Sequence, residues 1–175
     1  MAIIGVMGSG QADWATWAQP LGVWIGEQGH HLLTGGGQGV MRSVAEAFCC
    51  VRARRGRSIG ILPSRPDADR GFVALAGYPN PCVEIPILTP LPRKEPDAPD
   101  DALTRNHANV LSSDVVIALP GGRGTRDEIR LCLLFGKPLL CFGPIEAFDM
   151  LPAGIAVAAS LDEVAAWVDA RLAAA

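Results

Sequence analysis

One short stretch limits what this chain can fold into: Pro120-Gly121-Gly122-Arg123-Gly124-Thr125-Arg126-Asp127-Glu128. It follows an apolar run, Asp114 to Leu119, and precedes a segment of helical period from Ile129 to Phe135. A strand that ends in glycines and opens a helix builds an anion site. The glycines let the backbone approach a ligand closely, and the unpaired N–H groups of the helix start point at it. Thr125 adds a hydroxyl donor, and Glu128 is read in the first helical turn. The bland alternative is a turn whose Asp127 and Glu128 only complement the helix dipole. Glycines at 121, 122 and 124 exceed what such a turn needs, so phosphate binding is favoured.

Two more glycine turns follow apolar strands. Gly8-Ser9-Gly10 closes a strand over 3–7, and Gly35-Gly36-Gly37 closes one over 31–34. Further strands are expected at 58–62, 82–88, 114–119 and 138–142, with a short one at 154–158. Helices are expected at 12–28, 40–54, 101–111, after Glu128, and at 162–172. Pro20 should kink or divide the first, and Asp100 or Asp101 should lie near the cap of the third. Continuous apolar strands alternating with helices indicate a parallel sheet covered on both faces. The expectation is one Rossmann-like α/β domain over residues 1–175, with a mainly parallel sheet of six or seven strands. Ligands of such sheets bind beyond the carboxyl ends of the strands, so the three glycine turns should converge on one crevice. The proline-rich stretch 63–99 reads as two loops around the 82–88 strand. Its end, 92–99, fits either a lid over the site or a solvated insertion.

Several chemistries are disfavoured. The first glycine turn lacks the third glycine of a dinucleotide fingerprint, and the strand over 31–34 ends in Thr34 rather than an acid, so NAD is not expected. No Walker loop is present. The only lysines, Lys94 and Lys137, are poor anchors for a pyridoxal Schiff base. His30, His31 and His107 do not resemble a zinc site, so no metal is expected. The net charge of −3 argues against nucleic acid, and the Arg52–Arg57 cluster reads as a cationic helix C-terminus. No apolar run reaches membrane-spanning length. The start of the chain lacks the pattern of a signal peptide, and the five cysteines form no CxxC pair. A cytoplasmic location with free thiols is expected. Trp14, Trp17 and Trp24 read as packing residues, with Trp14 the one candidate for base stacking.

The 120–128 run resembles the signature of the LOG family, whose members are often labelled lysine decarboxylases. The two earlier glycine turns and Arg105 fall in the same order over roughly residues 3–143. The resemblance implies a cytokinin-activating type of phosphoribohydrolase, with Arg105 and Glu128 as the catalytic pair. It implies phosphate or nucleotide binding by Gly8, Ser9, Gly10, Gly35, Gly36, Gly37 and Pro120, Gly121, Gly122, Arg123, Gly124, Thr125. The favoured expectation is cleavage of a nucleoside 5′-monophosphate to free base and ribose 5-phosphate, with no cofactor. A carboxylate at Glu128 would stabilise the oxocarbenium-like transition state. The alternative is a binding protein for the molybdenum cofactor, as in a sister branch of similar fold. Asn106 favours it, because the hydrolases usually carry lysine after the catalytic arginine; Arg123 would suit a more anionic ligand. Asn106, His107 and Asn109 are read as sharing the crevice with Arg105.

Assembly is the last expectation. The resemblance implies a homodimer or higher homo-oligomer. The segment Ile129 to Phe135 is apolar nearly all round, more than one sheet-covering face requires. A second subunit would bury the excess, with Leu131 and Leu134 at the contact. The competing reading covers this helix with the chain's own segment 147–175.

Overall fold

The computed structural model describes residues 1–94, 99, 101–148 and 151–174. At its centre runs β1 (Ile3–Met7), paired in parallel with β2 (His31–Thr34) on one side and β6 (Val115–Ala118) on the other. These strands are apolar at nearly every position because both faces are buried. Ile4 and Val6 point into a core shared with α1 (Ala15–Glu27), α2 (Val40–Cys50) and α5 (Leu161–Ala173). Met7 points the other way, into a core with Val110 of α3 (Arg105–Leu111) and Leu131 and Cys132 of α4 (Arg123–Leu134).

The sheet has eight strands in the order β4-β3-β2-β1-β6-β7-β8, with β5 also paired to β3. Here β3 is Ser58–Asp67, β4 Gly71–Ala74, β5 Ile85–Thr89, β7 Leu139–Phe142 and β8 Val157–Ala158. All pairings are parallel except β3 with β4. This is the expected Rossmann-like architecture, with strand order reversing at β1, where β6 lies beside it.

The differences are local. The strand count exceeds six or seven because β3 runs on past Leu62 and turns back as β4. Pro63 and Pro66 hid this hairpin, yet proline is tolerated where a strand reaches a sheet edge. Helix α1 starts at Ala15 rather than 12, because the Ser9 hydroxyl takes the Gln11 and Ala12 N–H groups into a turn. It passes through Pro20 without division. Helix α3 starts at Arg105, capped by Thr104 with His107 rather than by Asp101; Asp100 lies outside the described residues. Helix α2 ends at Cys50, so the arginines beyond it do not sit on its last turn. Instead Arg54 and Arg57 both pair with Glu84, at 2.8 and 3.1 Å, tying that connection to the approach of β5.

Helix α1 meets the backbone of α2 at Gly22. A Cβ there would lie 2.3 Å from the Val44 carbonyl oxygen. Backbone cannot give way as a side chain tip can, so Gly22→Ala should lower stability by about 1–3 kcal/mol in urea denaturation.

Candidate functional site

The three glycine turns meet at Ser9. Its N–H donates to the Pro120 carbonyl at 3.3 Å, and its carbonyl accepts from the Val40 N–H at 2.9 Å, where α2 begins. Gly39, at φ 63°, passes so close that a Cβ would lie 2.3 Å from the Ser9 oxygen. At Gly121 a Cβ would lie 2.7 Å from the Ser9 nitrogen and 2.2 Å from the Thr125 hydroxyl. These positions require glycine because backbone packs on backbone.

Above this junction lies a cavity of about 660 Å³. Gly8, Ser9, Gly10, Gly35, Gly122, Arg123, Gly124, Thr125, Arg105 and Glu128 all line it. Gly36, Gly37, Pro120 and Gly121 do not, and instead shape the turns behind the wall. Helix α4 has no side chain on its N-cap and no acid in its first turn. Glu128 is its sixth residue, in the second turn rather than the first. The dipole reading of Asp127 and Glu128 therefore fails, and the first-turn N–H groups face the cavity beside Arg123.

Arg105 is 6 % exposed, not a surface arginine. Its Nη1 donates to the carbonyls of Gly35 and Ile61, so the residue after β2 and the body of β3 hold it. Its buried Nε has no partner among the described residues. Asn106 lines the cavity and donates to Asp127 at 2.9 Å. Asn109 lies under the wall and donates to Glu128 at 3.0 Å. His107 leaves the crevice: its Nδ1 accepts from the Thr104 N–H, and its ring lies edge-on to Phe135. Trp14 also does not line the cavity; it caps α1 and packs on the core.

Among the lining residues that sequence reasoning missed are Gln38, Met41, Tyr78 and Lys94. Tyr78 is the sole tyrosine, in the turn signature Tyr78-Pro79-Asn80-Pro81, which could have drawn attention to it. Lys94 is almost fully buried and lies 3.8 Å from Asp127. Residues 95–98, part of the stretch read as lid or insertion, lie outside the described residues. Arg93, Lys94, Arg105 and Arg123 give the cavity a cationic lining. Among the described residues no cluster of metal-ligating side chains occurs, and no helix is long and apolar enough to cross a membrane.

The SLOG cluster4 family model matches residues 1–165. The chain belongs to the SLOG cluster4 family. This SLOG cluster4 protein is 33% identical over 143 residues to an uncharacterized protein of Archaeoglobus fulgidus, covering 81% of this chain and 80% of that one. Its fold is similar to the molybdenum cofactor binding protein of Rippkaea orientalis, with 31% identity, TM-score 0.73, and 98% and 97% of the two chains covered. The molybdenum cofactor carrier protein of Chlamydomonas reinhardtii is 34% identical, with TM-score 0.72 and 98% of each chain covered.

Burial pushes the Glu128 carboxyl up to about 7, helped by the Asp127 charge; the Asn109 hydrogen bond and the Arg105 charge pull it down. A carboxyl raised in the folded state stabilises the fold fully below its unfolded value of 4.5, and that contribution is lost as pH rises through about 7. Relative to Glu128→Gln, the wild type should therefore lose on the order of 3 kcal/mol between about pH 4.5 and pH 8. Urea denaturation of both proteins at the two ends of that window checks the sign; a constant difference would show normal ionisation.

Proposed function

We propose that the chain is a binding protein for a phosphorylated pterin, the molybdenum cofactor, held as cargo in the cavity over the three glycine turns. The cationic cavity carries the reading, in a chain that aligns end to end with two proteins named for that cofactor. The residues fit such a ligand. The first turn of α4, with Arg123 and Thr125, offers N–H and hydroxyl donors to the terminal phosphate. Arg105 presents a buried guanidinium whose Nε awaits an acceptor. A volume of about 660 Å³ lies in the range of pockets that enclose a small organic ligand. Asn106 follows Arg105 and is engaged with Asp127, whereas the LOG-type hydrolases usually carry lysine there.

A second reading keeps hydrolysis of a nucleoside 5′-monophosphate. One observation favours it: Glu128 lines the cavity with its carboxyl raised to about 7, as suits a group that exchanges a proton near neutral pH. In that reaction water adds at the anomeric carbon and the base leaves with a proton. Arg105 would then steady the departing base while Glu128 opposes the growing positive charge. Either reading suits the cytoplasm, where the five free cysteines stay reduced.

The two readings separate in one preparation. Protein purified from cells that make molybdopterin, then oxidised, should release a fluorescent pterin, and Arg105→Ala should retain at least about tenfold less, as expected when a charged contact is lost. Absence of pterin from the wild type, together with base released from AMP, GMP, CMP, UMP or N6-substituted AMP, would overturn the carrier in favour of the hydrolase.

Assembly belongs to the same reading. Helix α5 packs on the α1 face of the sheet, not over α4. Among the described residues, the apolar cluster that holds Phe148, Leu151, Ile155 and Val157 includes Ile129 as its one member from α4. Leu103 just before α3 and Leu111 at its end, with Leu133, Leu134 and Phe135 at the end of α4, remain exposed. We place a second copy of the chain on this face. Leu131 is not part of it, being 0% exposed in the inner core, whereas Leu134 is 64% exposed. Leu134→Glu should therefore sediment as a folded monomer, while Leu131→Glu should fail to fold; a wild-type monomer at micromolar concentration would end the proposal.

A further inference from the structure

The wall that faces the phosphate turns is a short segment with no evident role in the sheet, residues 75–80. Hydrogen bonds fix it from several directions. The Leu75 N–H donates to the Pro63 carbonyl at 3.0 Å, and the Tyr78 N–H to the Leu75 carbonyl at 3.1 Å. Asn80 is buried at 1% exposure; its N–H donates to the Gly36 carbonyl at 2.8 Å and its Nδ2 to the Gly37 carbonyl at 2.9 Å. Gln38 reaches back from the glycine turn, its Nε2 donating to the Gly77 carbonyl at 3.2 Å. A connecting loop needs none of this. Such bonding sets a side chain in place, as a preorganised site requires.

The side chain so placed is Tyr78. Its ring lines the cavity and is half-buried. The Arg105 guanidinium carbon lies over the ring, 5.6 Å from its centroid. Gly37 yields the space for it: a Cβ there would lie 2.9 Å from the Tyr78 Cε1 and 3.1 Å from its hydroxyl. A cation over an aromatic ring tightens the pair and holds the ring plane. Tyr78 is the one aromatic side chain among the residues lining this cavity. The cationic groups of the wall address anions: Arg93, Lys94, Arg123 and the α4 N-terminus. A phosphate needs those groups and has no use for an aromatic plane.

We propose that Tyr78 is the stacking platform for the ligand's heteroaromatic ring, so that the cavity selects phosphorylated heterocycles over phosphorylated sugars. This deepens the proposed function and rests on its assumption of a phosphorylated ligand. The phosphate is held at the α4 N-terminus, and the ring lies against Tyr78 with Arg105 behind it. Stacking tolerates any flat heterocycle, so a pterin and a purine are both accommodated, and hydrogen bonds elsewhere distinguish them.

The test compares three probes by titration calorimetry: the oxidised fluorescent phosphopterin of molybdopterin, AMP, and ribose 5-phosphate, which lacks a ring. Wild-type protein should bind at least one of the first two about tenfold or more tightly than ribose 5-phosphate. Tyr78→Leu should weaken the heterocyclic probe by about tenfold and leave ribose 5-phosphate unchanged, whereas Tyr78→Phe should match the wild type. Where phosphopterin binds, its emission should be quenched in the wild type and less so in Tyr78→Leu. Equal weakening of all probes by Tyr78→Leu would reduce Tyr78 to a prop for Arg105 and overturn the proposal. Unchanged binding of the heterocycle would overturn it too. If wild-type protein binds ribose 5-phosphate as tightly as the heterocycles, stacking fails while the phosphate site stands; if it binds none of the three, the proposed function fails with it.

Discussion

Ser9 carries the constraint on which the rest of the site depends. Its N–H is committed to Pro120 and its carbonyl to Val40, so one residue joins the ends of β1 and β6 to the start of α2. Glycine at 39 and 121 lets the neighbouring backbones come within contact of it. The sheet order puts β6 beside β1 without an intervening strand, and β2 on the other side. Glycine turns that are more than a hundred residues apart in sequence become one surface. That surface fixes where α4 starts, and so where its unpaired N–H groups point.

Charge is arranged on this frame by burial rather than by pairing. Arg105 is held by carbonyl oxygens of Gly35 and Ile61, which orient it without neutralising it. Glu128 lies near it, desolvated and raised to about 7, with Asn109 donating to one oxygen. Asp127, its neighbour in sequence, takes the cations instead: Arg130 at 3.1 Å and Lys94 at 3.8 Å, with Asn106 at 2.9 Å. Adjacent carboxyls on one helix thus meet opposite surroundings. One supports the wall, and the other remains available to a ligand.

The glycine turns and the strands around them were legible in the sequence because each is a local pattern, whereas Arg105 and its pairing with Glu128 came from the family resemblance. An apolar run ending in glycines needs only neighbouring residues to be read. Helical spacing read Asn109 as sharing the crevice with Arg105, but it lies under the wall, donating to Glu128. The opposite wall was not legible. Tyr78 and Asn80 sit in a proline-rich stretch whose shape comes from bonds to Gly36, Gly37 and Gln38, some forty residues earlier. The β3–β4 hairpin was hidden by prolines that an edge tolerates. His107 shows the converse error: its spacing suited the crevice, but the orphan N–H at Thr104 claimed its ring.

The anchoring of Arg105 has a further consequence for how a ligand enters. An arginine positioned by a carboxylate presents a dipole, and an incoming anion must displace or share that partner. An arginine positioned by peptide carbonyls keeps its full charge and its place at once. Entry of an anion then breaks no salt bridge at this residue and demands no rearrangement of the side chain. The guanidinium behaves as part of the backbone frame, a fixed positive post whose location is set by the backbone of two neighbouring strands. Its field should be felt by an approaching anion before contact.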